Sequence, residues 1–65
     1  MFPNLRAEQA RRNLTNGAIA KALGIKADGY ERRLRTGRFL ASECLTLCKM
    51  FECSFEYLFD TELSA

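Results

Sequence analysis

Histidine is absent from the 65 residues, and proline occurs once, at Pro3. Without histidine the commonest general base and the commonest imidazole metal ligand are missing. There is also no glycine-rich phosphate loop, and no serine or cysteine stands beside an evident base, so no catalytic residue is assigned and an enzyme is not expected. The three cysteines, Cys44, Cys48 and Cys53, are an odd set. They make no closed disulfide framework, and with no histidine they make no complete zinc site. Cys44 and Cys48 lie four apart, on one helical face, and read as small reduced core residues, with a redox or metal role as the alternative. Reduced thiols suit a cytoplasmic protein. No apolar run approaches the roughly 18 residues of a membrane span. Met1-Phe2-Pro3-Asn4 is not a basic segment followed by an apolar one, so no secretory signal is expected.

What is present is apolar residues at 48%, ample for one compact domain over 1–65. Charge is divided along the chain. Residues 1–38 hold nine basic side chains against three acidic, a net +6, and residues 39–65 hold Lys49 against five acidic, a net −4. A basic front and an acidic back suggest that the first part faces a polyanion.

Strand signals are nearly absent, and the interior is free of proline, so the chain reads as five short helices around one core. The first spans about Pro3 to Arg12, with Pro in the first turn, Leu5 on its apolar edge and Asn13 as a left-handed terminator. Thr15 is a good N-cap for the second, in which Ile19, Ala20 and Leu23 share a face before Gly24 ends it. The third runs from Lys26 or Ala27 to Leu34, with Tyr30 and Leu34 inward. Gly29 inside it costs about 1 kcal/mol relative to alanine, to be offset by packing or by close backbone approach. Arg35-Thr36-Gly37-Arg38 reads as a loop. The fourth covers Ala41 to Phe51, with Cys44, Leu45, Leu47, Cys48 and Phe51 as a broad apolar face. Ser54 caps a last short helix through about Phe59.

The informative stretch is Thr15 to Tyr30. Two short helices joined by a glycine-bearing turn pack closely when the crossing residue is small, and Ala20 supplies that four before Gly24. The second of them can then lie in a DNA major groove, whose width admits a helix.

Here the chain resembles the phage-repressor-like (Cro-like, lambda-repressor-like) helix-turn-helix family, in its short prophage form. Asn4-Leu5-Arg6-Ala7-Glu8 looks like the family's opening helix, and Ile19-Ala20-Lys21-Ala22-Leu23-Gly24-Ile25 like its second helix and turn. Phe39-Leu40-Ala41-Ser42-Glu43 resembles the approach to its fourth helix, and Phe51 to Phe59 its usual ending. The resemblance implies an all-α, five-helix domain that regulates transcription in a bacterium or prophage, often as a repressor. It also implies a homodimer on a palindromic double-stranded operator.

Carried over by position, Asn16 falls where the family often has a glutamine touching a phosphate. Lys26, Ala27, Asp28 and Arg32 fall on the outward side of the reading helix. Arg32 is the best base reader, since its fork suits guanine O6 and N7. Ala27 offers a methyl contact, and Asp28 either accepts from cytosine N4 or caps the helix. Lys26, Gly29, Arg35 and Arg38 are phosphate candidates. Arg33 stands where the family usually has an apolar residue, and reads as either solvated or DNA-facing. Phe55, Tyr57, Leu58 and Phe59 are too many large apolar groups for one short helix, so some are assigned to a dimer interface. No cofactor, metal, membrane or small-molecule ligand is expected. The rival reading is a helix-turn-helix repurposed for protein binding, as an antirepressor, inhibitor or assembly module.

Overall fold

The computed structural model describes residues 1–61; residues 62–65, which the sequence reading includes in its single domain, lie outside that range. The order is α1 Pro3–Arg11, α2 Asn16–Leu23, α3 Ala27–Thr36, α4 Ala41–Phe51 and α5 Phe55–Leu58, with no strand among the described residues. The all-helical class and the five elements are those expected from the sequence. The largest boundary difference is at α3, which runs two residues beyond Leu34. Arg35 is therefore helical, and only Gly37 to Leu40 connect α3 to α4.

Helix ends follow from local chemistry. Thr15 accepts from the Ala18 N–H at 3.0 Å, and Ser54 from the Tyr57 N–H at 3.2 Å, each satisfying a donor that the first turn leaves orphaned. Three helices terminate in the same two-bond ending, with one left-handed residue. At α1 the Leu14 N–H reaches the Gln9 carbonyl and Asn13 reaches Ala10. At α2 Ile25 reaches Ala20 and Gly24 reaches Lys21. At α4 Cys53 reaches Cys48 at 3.1 Å and Glu52 reaches Lys49 at 3.4 Å. Gly24 takes the left-handed region freely at φ 74°; Glu52, at φ 52°, is a side-chain-bearing residue in that region. Glu52 is thus the turn residue of the α4 ending, at a position glycine favours.

The core is built from Leu5, Ile19, Ala20, Tyr30, Leu34, Leu47, Phe51 and Leu58, with Phe2 and Phe59. Ala20 is 1% exposed at the approach of α2 to α3, where a larger side chain would hold the helices apart. Phe2, Phe39 and Phe59 form a ring cluster with centroids 5.2–5.7 Å apart, and Tyr30 extends it at 6.0 Å from Phe39. All three cysteines are thiols, half-buried against this core.

Two buried carboxylates tie the helices together. Glu8 is 3% exposed and accepts from the Arg12 guanidinium, from Arg11 Nη1 at 3.2 Å and from the Tyr57 hydroxyl at 2.8 Å. Arg12 also donates to the Phe51 carbonyl at 2.9 Å and lies over the Phe51 ring. The i, i+4 pairing of Glu8 with Arg12 is visible in the sequence; its burial and its junction with α4 and α5 are not. Glu43, in the first turn of α4, accepts from the Leu40 N–H at 2.9 Å and from Arg33 Nε at 2.8 Å, which joins α3 to α4.

The Arg12 hydrogen bond, then that of Tyr57, holds the Glu8 carboxyl below its ordinary value of 4.5, against the opposing effect of burial. A depressed folded-state value means that the unfolded chain takes up the proton first. This contribution to stability is therefore complete above about pH 4.5 and is lost as pH falls through the lower folded value. Glu8→Gln should unfold at lower urea than the parent near neutrality, and the gap between their midpoints should close in acid. A gap independent of pH would show that packing, not charge, is lost.

Candidate nucleic-acid interface

The surface singled out by the sequence is the outward side of α3, held by α2 and the turn Gly24 to Lys26. Tyr30 and Leu34 anchor α3 inward. Tyr30 is wholly buried, and its hydroxyl donates to Gln9 Oε1 at 2.9 Å. Burial pushes that phenol up to about 12, with a small opposing effect from Arg6. Tyr30 is thus a core residue and offers no stacking face.

At about 100° per residue, Asp28, Arg32 and Arg35 fall within an arc of about 60°, on the side away from Tyr30 and Leu34. All three are exposed, as are Lys26 and Ala27 at the start of α3 and Arg38 after Gly37. Arg32 and Arg35 thus stand on the outward arc, with Lys26 before the helix and Arg38 after it as further exposed cations. Asp28 sits in the first turn and Arg35 in the last, the ends where the helix dipole favours each sign. Asp28 makes no capping bond: Lys26 occupies the cap position of α3, with no side-chain cap. The capping role expected for Asp28 is corrected accordingly.

Three other candidates are engaged within the fold. Arg33 gives Nε to Glu43 and Nη1 to the Gly29 carbonyl at 3.1 Å. It is occupied within the fold and is neither merely solvated nor part of the outward arc. Gly29 is half-buried, and a Cβ there would meet Arg33 Nη1 at 3.4 Å and Ile25 Cδ1 at 3.9 Å. Both are ordinary contact distances, so nothing in the packing of α3 requires glycine at this position. Asn16, the first residue of α2, accepts from Gln9 Nε2 at 2.7 Å and donates to Glu31 Oε2 at 3.2 Å. Gln9 also donates to the Leu14 carbonyl at 3.0 Å, so its amide joins α1, α2 and α3.

Two residues not singled out belong to this surface. Glu31 lies between Ala27 and Arg35 on the helix and brings a second carboxylate; the helical period alone would have found it. Arg6, from α1, lines the same open depression as Asn16, Glu31 and Arg35; no spacing in the sequence links it to α3.

The tentative dimer residues divide. Leu58 is fully buried, and Phe59 is 9% exposed, edge-on to Phe2 and Phe39 and stacked on Phe55. Both complete the core of a single chain and are withdrawn from an interface. Phe55 and Tyr57 remain exposed, though Tyr57 commits its hydroxyl to Glu8. Leu45, expected to be buried on α4, is 64% exposed. It lines an apolar depression with Phe39, Ala41, Cys44 and Phe55.

Among the described residues no helix is long and apolar enough to cross a membrane, and no group of three or more metal-ligating side chains is placed to hold an ion. Comparison with family models, with curated proteins and with solved structures returns no match.

Proposed function

We propose that the chain is a lambda-repressor-like helix-turn-helix domain, a sequence-specific DNA-binding regulator that sets α3 in the major groove. The observation that carries this reading is the division of α3. Its inner side is locked by Tyr30, Leu34 and the Arg33–Glu43 pair, while Arg32 and Arg35 stand outward between Lys26 and Arg38. A reading helix requires that combination: a fixed backbone and long side chains that reach base edges and phosphates. Arg32 is assigned to a guanine, and Lys26, Arg35 and Arg38 to phosphates. A second copy is assigned to the exposed apolar patch of Leu45 and Phe55, in an isologous contact about a two-fold axis. Two α3 helices about 34 Å apart then meet a palindrome.

Selection from random duplexes at two salt concentrations tests the reading. Enrichment of one sequence, with affinity falling as salt rises, is the expected result. Arg32→Ala should relax the preference at one base pair and cost about 1–3 kcal/mol there; an unchanged preference would remove Arg32 from base reading. The rival reading, a domain turned to protein binding, draws on Asp28 and Glu31, two carboxylates that disfavour phosphate. Absence of any enriched duplex, together with tight binding to a protein, would select it.

A further inference from the structure

The turn between α4 and α5 puts Cys48 and Cys53 in the two positions that its hydrogen-bonded ending brings together. The Cys53 N–H donates to the Cys48 carbonyl at 3.1 Å. The O···Cα and N–Cα spans are about 2.4 and 1.5 Å. Laid end to end with that bond, they cap the Cα–Cα separation at about 7 Å. The bends at O and N shorten it into the range of about 4.4–6.8 Å that disulfides occupy. Side chains in these two positions of such an ending commonly touch, and both cysteines are half-buried against the same core. Cys44 is placed differently. It precedes Cys48 by four within one helix, where Cβ atoms stand about 5–6 Å apart, beyond the roughly 3.5–4.5 Å that a disulfide spans.

The surroundings distinguish the two thiols. Cys53 Sγ donates to the Phe51 carbonyl at 3.2 Å, and Arg12 Nη2 donates to the same oxygen at 2.9 Å. The Arg12 guanidinium and the Cys53 thiol thus share one acceptor. Burial pushes the Cys48 thiol up, with smaller contributions from Cys53 and Glu56, which favours Cys48 as the second sulfur to react.

We propose that Cys48 and Cys53 form a redox-active dithiol that a low-molecular-weight disulfide, of the oxidised glutathione class, closes into an intrachain bond. Cys53 sulfur, having lost its proton, attacks one sulfur of the oxidant. A mixed disulfide forms and the first small thiolate leaves. Cys48, deprotonated in turn, attacks the Cys53 sulfur and expels the second. The pair loses two electrons, the oxidant gains two, and the two protons end on the two small thiols. The bond ties the last turn of α4 to the residue before the Ser54 cap, so oxidation fixes the direction in which α5 presents Phe55. The inference is independent of whether the domain reads DNA.

The test titrates the whole reduced chain with oxidised glutathione, blocks remaining thiols with iodoacetamide and maps the peptides by mass. The expected product is one bond between residues 48 and 53, with Cys44 alkylated, formed equally by Cys44→Ser. Cys53→Ser and Cys48→Ser should halt at the mixed disulfide. The equilibrium constant for closure should be at least about tenfold higher for the native chain than in urea, as expected if the fold preorganises the pair. A bond to Cys44, linkage between chains, arrest of the parent chain at a mixed disulfide, or equal constants in buffer and urea would each overturn the proposal. The mapping and the urea comparison use the parent chain, so they stand even if a variant fails to fold.

Discussion

Replacing Arg33 with alanine should lower the unfolding free energy by about 2–3 kcal/mol, read as a fall in the urea midpoint. The loss arises at the partner. Glu43 is 6% exposed and keeps only the Leu40 N–H once the guanidinium is gone, so a carboxylate stays buried with its charge uncompensated. The figure lies below that for a fully buried pair because the Arg33 side chain retains 24% exposure. Arg32→Ala is the control: the same charge is removed from the adjacent position, but from an exposed side chain, where the change should stay within about 0.5 kcal/mol. Glu43→Gln added to Arg33→Ala should recover part of the loss, because the stranded charge is then absent. Equal midpoints for the two arginine variants would mean that the Arg33–Glu43 pair contributes nothing to the fold.

Leu58→Ala should be more damaging, by about 2–5 kcal/mol. For 65 residues at roughly 0.05–0.15 kcal/mol each, that approaches the whole stability, so the variant should be largely unfolded by circular dichroism at room temperature. Leu58 is wholly buried and is the inward anchor of a helix only four residues long, too short to persist without tertiary contacts. Phe55→Ala, one turn earlier and 55% exposed, should leave the monomer folded and weaken self-association in sedimentation. If Leu58→Ala stayed folded and changed only the association state, Leu58 would belong to an interface after all.

These two residues mark where sequence pattern stops being informative. Thr15, Gly24, Ser54 and the inward set Ile19, Ala20, Tyr30 and Leu34 were legible because caps, left-handed terminators and helical period act over four residues or fewer. Leu58 and Phe59 were not, since apolar excess on a short helix looks the same whether the covering surface is its own chain or another. Arg33 was ambiguous for a related reason: only the fold reveals that Glu43, in the next helix, stands within 2.8 Å. Asn16 falls outward by position in a resemblance, whereas Gln9 and Glu31 supply its partners within the domain. The outward cations of α3 were legible, and the contribution of Arg6 from another helix was not.

The contact of Phe2 with Phe59 has a kinetic consequence. The four longer helices are closed by hydrogen bonds between near neighbours and can form early. The Phe2–Phe39–Phe59 cluster joins opposite ends of the chain, so its loop-closure entropy is met only when most of the domain is already assembled. Its interactions therefore belong to the late side of the folding barrier. In a chevron plot Phe2→Leu should steepen nothing and leave the refolding arm in place while raising the unfolding rate. Phe2 then acts as a latch on the lifetime of the folded state, with little part in how quickly that state is reached.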